Sequence, residues 1–368
     1  MRPPRRRGYR ELLLLLGLVA FAASVTGSFW VVFLSKVREL PPELVASLFA
    51  GATFVAAAMS FVLSRVPSLP ATKTMIAGLA CLAGMQVALA ALEGPPLYAL
   101  FALLYGLYIP LFFLPWNVLV TEQTRFHDRG AKLAGISLGY NAAAVGAPFI
   151  GGLVAGLMGF PALFLLGAGV LVVAATVAAL YAQRPDDVRL RFDLRRLGGR
   201  VAAAYLAQGG IDGVLWTAIP LVALTFVTQD VQLGALFSLF ALMGGVFGVV
   251  LGRWSDRIRR RRRFIVLGAT LPIPLAVAVA LAPNLAVFAI ANGLLSATLI
   301  VGPTFVNAVA VDRLEGEVGL VMCTREALLN VSRGTTSVAI LVLFLLGLPV
   351  QLVLLLVAVL LPLEALAR

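Results

Sequence analysis

Acidic residues are scarce in this chain of 368 residues: 17 Asp and Glu stand against 29 Lys and Arg, and charged residues make up only 12% of the whole. A soluble domain would carry about a quarter of its residues charged, so an ordinary solvated surface is excluded. Histidine occurs once, at His127 beside Asp128, and reads as a solvated loop residue. Cysteine occurs twice, at Cys81 and Cys323, both inside apolar runs far apart in the chain. These residues build neither a disulfide framework nor a metal site, so no metal and no cofactor is expected. The chain also lacks H-E-x-x-H, paired C-x-x-C, G-x-S-x-G and the P-loop phosphate signature, and its polar groups do not gather at one membrane face as an embedded enzyme would need. An enzyme is not expected.

What the chain has instead is apolar surface. Hydrophobic residues make up 61%, and the mean hydropathy is +1.00. About twenty apolar residues cross a bilayer as a helix, which leaves room for a dozen spans joined by short loops. We place them at about 12–34, 44–63, 74–92, 96–120, 133–157 and 161–182, then 201–226, 231–251, 264–282, 285–310, 320–346 and 349–366. Between the two sets of six lies the longest polar interval, 183–200. The expected fold is an all-α integral membrane protein with twelve transmembrane helices in two six-helix pseudo-repeats. Residues 1–182 would form one bundle, 183–200 a cytoplasmic linker and 201–368 the other bundle.

The net charge of +12 belongs to topology, with no nucleic acid implied, because 25 of the 29 Lys and Arg fall at the termini, in the linker or in alternate loops. Short loops rich in Lys and Arg stay inside, so both termini are expected in the cytoplasm of a multi-pass cell-membrane protein. The most basic segment runs Gly252-Arg253-Trp254-Ser255-Asp256-Arg257-Ile258-Arg259-Arg260-Arg261-Arg262-Arg263. It is too charged to sit in lipid and reads as a loop at the cytoplasmic face. The halves also echo each other: Trp30 and Arg65 match Trp216 and Arg253, Asn117 and Glu122 match Asn307 and Asp312, Asn141 matches Asn330, and Thr26 aligns with Asp212.

Gly252, Asp256, Arg257, Arg260 and Arg261 follow the pattern G-x-x-x-D-R-x-G-R-R, with Arg259 in place of the second glycine. Together with six spans, a charged linker and six further spans, this resembles the major facilitator superfamily. Arg129-Gly130-Ala131-Lys132 and Ala147-Pro148-Phe149-Ile150-Gly151-Gly152 look like that family's loop 4–5 and its glycine-proline motif. The resemblance implies a secondary active transporter that moves a small organic solute by alternating access around a site between the halves. It also implies that Asp256 braces the start of span 5 near Arg129, as a latch; the other reading of this segment is an anchor that attracts anionic lipid. Small residues at Gly135, Gly139, Ala143, Ala147, Gly151 and Ala155 in span 5, and at Gly244, Gly248 and Gly252 in span 8, would let helices pack closely. They serve either as static packing or as a seam on which two halves rock.

Ionisable residues inside spans cost about 2.5–3.5 kcal/mol each at a helix centre, so they are functional candidates by default. Asp212 and Arg333 lie at similar depth in spans 7 and 11 and are candidates for a buried pair. Glu326, Asn330 and Arg333 fall on one face of span 11. With Asp212 they would line a cavity in which protonation of Asp212 or Glu326 releases Arg333, coupling protons to solute; otherwise they form a structural ion pair. Phe101, Tyr105, Tyr108, Phe112 and Trp116 make one aromatic face of span 4, as packing, lipid contact or a wall for a ring-bearing solute. Asn117, Asn292 and Asn307, on spans 4 and 10, are weaker polar candidates. The expected partners are a small-molecule substrate, protons and the lipid bilayer, with nothing to demand more than a monomer. A passive uniporter and, from a different class, a non-transporting membrane receptor or scaffold remain as alternatives.

Overall fold

A computed structural model describes residues 7–123, 145–180, 187–257, 261–314 and 316–367, and of residues 7–11, 123, 248–249, 251–257, 261–263 and 308 the backbone alone. Among the described residues, ten helices are long and apolar enough to cross a membrane, and two shorter apolar ones, Val145–Met158 and Phe264–Ala280, hold the fifth and ninth places. We number them α1 to α12. The first six are α1 (Arg7–Val32), α2 (Pro42–Leu63), α3 (Ala71–Ala91), α4 (Gly94–Gln123), α5 (Val145–Met158) and α6 (Phe160–Leu180). The second six are α7 (Gly199–Phe226), α8 (Asp230–Arg257), α9 (Arg261–Thr270 and Pro272–Ala280), α10 (Leu285–Leu299 and Val301–Arg313), α11 (Val318–Leu345) and α12 (Val350–Val353 and Leu355–Glu364).

Helix is the form these apolar runs must take in lipid, because it satisfies every backbone N–H and C=O within the segment. The breaks have local causes. α9 is interrupted at Leu271, next to Pro272, and α10 at Ile300, three residues before Pro303, whose missing N–H cannot bond the Leu299 carbonyl. Large apolar residues such as Leu157, Val172, Leu180, Val246 and Leu346 are exposed on the outside, where a bilayer would cover them.

The charged stretch expected as a loop is mostly helix. α8 continues to Arg257 and α9 starts at Arg261, leaving 258–260 between them outside the described residues. A charged extension of a span beyond lipid can stay helical because water and headgroups surround it, which apolar periodicity does not register.

Helices α3, α4 and α6 pack together with α1 and α2, and α7 packs with α11 and α12, while α8, α9, α10 and α12 close the second set. Across the middle, α2 lies along α11 and α1 touches α7. α5 meets α8 through glycine: a methyl carbon in place of hydrogen at Gly152 would stand 3.0 Å from Gly234 Cα. The α8 glycines expected in this seam do not all serve it, since Gly244 faces Ser296 and Ile300 of α10. Gly135, Gly139 and Ala143 lie outside the described residues, and so does His127.

One face of the bundle is crossed by the segment between the two sets. Its strand β2 (Asp187–Val188) pairs antiparallel with β1 (Leu69–Pro70) of the α2–α3 connection. Further along, Phe192 meets Phe61 at 4.7 Å between ring centroids, the Asp193 N–H donates to Thr324 Oγ1 at 3.0 Å, and Arg196 pairs with Glu317. At the opposite face, Lys36 Nζ lies 2.7 Å from Asp230 Oδ1 and donates to the Thr228 carbonyl at 2.8 Å, tying the α1–α2 and α7–α8 connections together.

Candidate functional site

The site grows from the seam between α7 and α11. In Gln208-Gly209-Gly210-Ile211-Asp212-Gly213, a methyl carbon at Gly209 would stand 2.9 Å from Leu329 Cα, and one at Gly213 would stand 3.0 Å from the Arg333 carbonyl oxygen. Side chains at either position would push the helices apart. Ser332 Oγ donates across the same seam to the Leu206 carbonyl. This close approach sets Asp212, halfway along α7, against Arg333, halfway along α11.

Arg333 Nη2 donates to Asp212 Oδ2 at 2.6 Å. Its Nη1 donates to Asn330 Oδ1 at 3.0 Å, with Glu326 Oε1 3.6 Å away. Asn330 Nδ2 in turn donates to the Glu326 carbonyl at 2.9 Å and to Glu326 Oε1 at 3.0 Å. The guanidinium carbon rests 4.4 Å from the centroid of the Trp216 ring, one turn beyond Asp212, so the indole face adds a cation–π contact. The Asp212 side chain is 27% exposed, against 9% for Arg333 and 6% for Glu326, which makes Asp212 the most accessible member of the group.

The facing wall comes from α1 and α4 and is aromatic. Tyr105 lies 6.5 Å from Trp216 between centroids and 4.9 Å from Trp30, and Phe101 packs edge-on to Trp30 at 6.2 Å. Tyr108 is 6.3 Å from Tyr105 and stacks on Phe112 at 5.9 Å. Phe101, Tyr105, Tyr108, Phe112 and Trp116 are all buried within the bundle, so lipid contact is not their role. Trp30 Nε1, Trp116 Nε1 and Arg333 Nε are among the buried donors here that have no acceptor in the structure.

Other expected residues lie apart. Asn117 is half-buried about three helical turns along α4 from Tyr105. Asn307 of α10 accepts a hydrogen bond from Tyr205 Oη at 3.3 Å, and the Arg325 guanidinium sits 5.8 Å over that Tyr205 ring, with its Nη1 3.8 Å from Glu326 Oε2. These form a second polar group that continues the site toward the face crossed by β2. Of the expected latch, Gly252, Asp256, Arg257 and Arg261 are placed only as helical backbone, and Arg129 and Arg260 lie outside the described residues.

The sequence reading used Trp30 and Trp216 only as marks of the repeat and gave the α7 glycines no part. The Gly209-Gly210 pair and Gly213 around a buried aspartate are the signal that could have drawn attention to this seam.

The sequence model of the Major Facilitator Superfamily matches residues 12–204, just over half of the chain. The chain belongs to the major facilitator superfamily. The crystal structure of the human organic anion transporter MFSD10 (TETRAN) is similar in fold, with a TM-score of 0.68 over 100% of both chains at 15% sequence identity. A search of curated proteins found no match. Family and fold together make this superfamily member a multi-pass membrane transporter, and the site described above lies between the two sets of six helices, where inverted and duplicated transporter folds place their sites.

Proposed function

We propose that this chain is a secondary active transporter that moves a small organic solute by alternating access, with solute movement coupled to protons. The observation that carries the reading is the Arg333–Asp212 pair, 2.6 Å long, at mid-span where the α1–α4 aromatic wall meets α7 and α11. A buried charge pair is expensive in a membrane and is kept where it serves a pathway. When Asp212 takes a proton it loses its hold on Arg333 Nη2, and the guanidinium keeps its charge because its pKa lies above any working pH. Solute binding and protonation thus compete for, or share, the same group. The two sets of helices would rock about α2–α11 and the Gly152–Gly234 contact, with Gly252, Asp256, Arg257, Arg260, Arg261 and Arg129 as the latch that the family resemblance implies. The concentration of Lys and Arg at the termini, in the linker and in alternate loops supports a cell-membrane protein with both termini in the cytoplasm, and we take a monomer as its working unit.

The test is reconstitution into proteoliposomes that trap a pH-sensitive dye, challenged with sugars, organic acids, amino acids and amines. A solute that drives proton movement, with the coupling lost and solute exchange kept in Asp212→Asn, is the expected result. Solute movement that ignores an imposed pH gradient would make the protein a uniporter with a structural ion pair.

A further inference from the structure

We infer that the site selects an organic monoanion carrying a ring or other apolar body, with its carboxylate on Arg333 and the ring against Trp216, Tyr105 and Trp30; this rests on the transport reading above. Arg333 and Arg325 stand against Asp212 and Glu326, two charges of each sign. Neither arginine can release a proton, whereas either carboxylate can take one. Protonation therefore moves the charge of the site in one direction only, toward positive.

Asp212 is the member that switches. The titratable and charged groups around it are Arg333 and Glu326 from α11, Tyr105 from α4 beyond Arg333, and Glu364 from α12, whose buried carboxyl lies within electrostatic reach. Of the three carboxylates, Asp212 is the most exposed, while Glu326 is held by Asn330 and Glu364 is 2% exposed. Once Asp212 is neutral, Arg333 Nη2 has lost its closest carboxylate, and Nε already has no acceptor. An incoming carboxylate can bridge those two adjacent nitrogens as a bidentate pair. A cationic solute has no such opening, because Arg333 would stay charged beside it.

The second observation is the wall around the guanidinium. Trp216 lies under Arg333, and Tyr105 and Trp30 continue from it across the boundary between the halves. Trp30 Nε1 is a second buried donor without an acceptor, 5% of the residue being exposed. An acceptor-rich head and an apolar body match these surfaces. Gln208 Oε1, Thr217 Oγ1 and Ser337 Oγ, also without partners, are neutral and leave the charge count unchanged. One proton and one monoanion move together in this scheme, so no net charge crosses the membrane.

Thermal unfolding of the purified full chain tests the inference with three probes that share a ring and differ in charge: 1-naphthylacetate, 1-naphthylmethylamine and neutral 1-naphthylethanol, each at about pH 5.5 and about pH 7.5, because binding linked to a proton changes with pH. Naphthylacetate alone should raise the melting temperature, and more at the lower pH. In Asp212→Asn its effect should be the same at both pH values. Trp216→Leu, which leaves the ion pair intact, should weaken naphthylacetate about tenfold, the size of a desolvated cation–π and ring contact. Arg333→Lys keeps the charge but not the fork, and should weaken it further. Stabilisation by the amine or the alcohol equal to that by the acid, no stabilisation by any probe, or a naphthylacetate effect unchanged in both Trp216→Leu and Arg333→Lys would overturn the proposal. Naphthylacetate binding in the expected pattern without proton movement in proteoliposomes would instead sink the transport reading and leave the anion site standing.

Discussion

Thr26 in α1 and Asp212 in α7 hold matching places in the two halves, and the protein treats them oppositely. Thr26 is fully buried, donates to the Ala22 carbonyl at 2.9 Å and accepts from Gln86 Nε2 at 2.6 Å, so the first half closes its slot with a neutral hydrogen bond inside one bundle. Asp212 reaches out to Arg333 and stays partly exposed. The glycine after each differs in the same sense. A methyl carbon at Gly27 would meet nothing nearer than Trp30 at 3.9 Å, while one at Gly213 would strike the backbone of α11. The first half therefore offers a rigid, uncharged, aromatic wall. The second half holds the ionisable groups Asp212, Glu326 and Arg333. Any coupling between protons and solute has to be decided on the α7–α11 side.

The comparison breaks most visibly at Arg333. Arg333→Leu strands Asp212 and Glu326 without their cation, and breaking a buried pair in this way costs about 3–5 kcal/mol; a large fall in melting temperature is expected, and the double change Asp212→Leu, Arg333→Leu should recover most of it. A double variant no more stable than the single one would mean that Glu326 and Asn330, not Asp212, hold the arginine. A smaller effect separates the two glycines. Gly213→Val should cost about 1–3 kcal/mol by forcing α7 from α11, whereas Gly27→Ala should leave the melting temperature within error. Equal losses at both would show that the halves are packed alike at this level. The last change is Thr26→Val, which removes two buried hydrogen bonds and strands Gln86 Nε2 at a cost of about 1–3 kcal/mol, yet should leave the pH dependence of naphthylacetate binding untouched, in contrast to Asp212→Asn.

Much of this arrangement was legible beforehand, for a physical reason. A charge inside a span is costly enough that Asp212, Glu326 and Arg333 stand out in a one-dimensional reading, and the zero, four, seven spacing puts the last two and Asn330 on one helix face. The lining aromatics were only half legible. Tyr105 and Tyr108 belong to a visible stripe, but a stripe on a helix in lipid does not say which neighbour it faces, and Trp30 and Trp216 looked like marks of the repeat until Tyr105 was seen between them. In the small-residue stripe of α8, Gly244 meets α10, while the glycine that meets Gly152 of α5 is Gly234, outside that stripe.

The sequence alone determined that this chain crosses a membrane many times, that its basic residues gather on one face, and that three ionisable side chains sit where only function or pairing would keep them. Those properties follow from the cost of moving each residue type into hydrocarbon, which is a property of the residue and its depth. The tertiary structure decided that Arg333 closes on Asp212, that an aromatic wall from α1 and α4 faces the pair, and that 187–198 is strapped across one face instead of hanging free. These depend on which helix faces meet. In lipid that choice is made by close fit, by glycine at Gly209, Gly213 and Gly152 and by hydrogen bonds across helices, because apolar burial does not distinguish one neighbour from another.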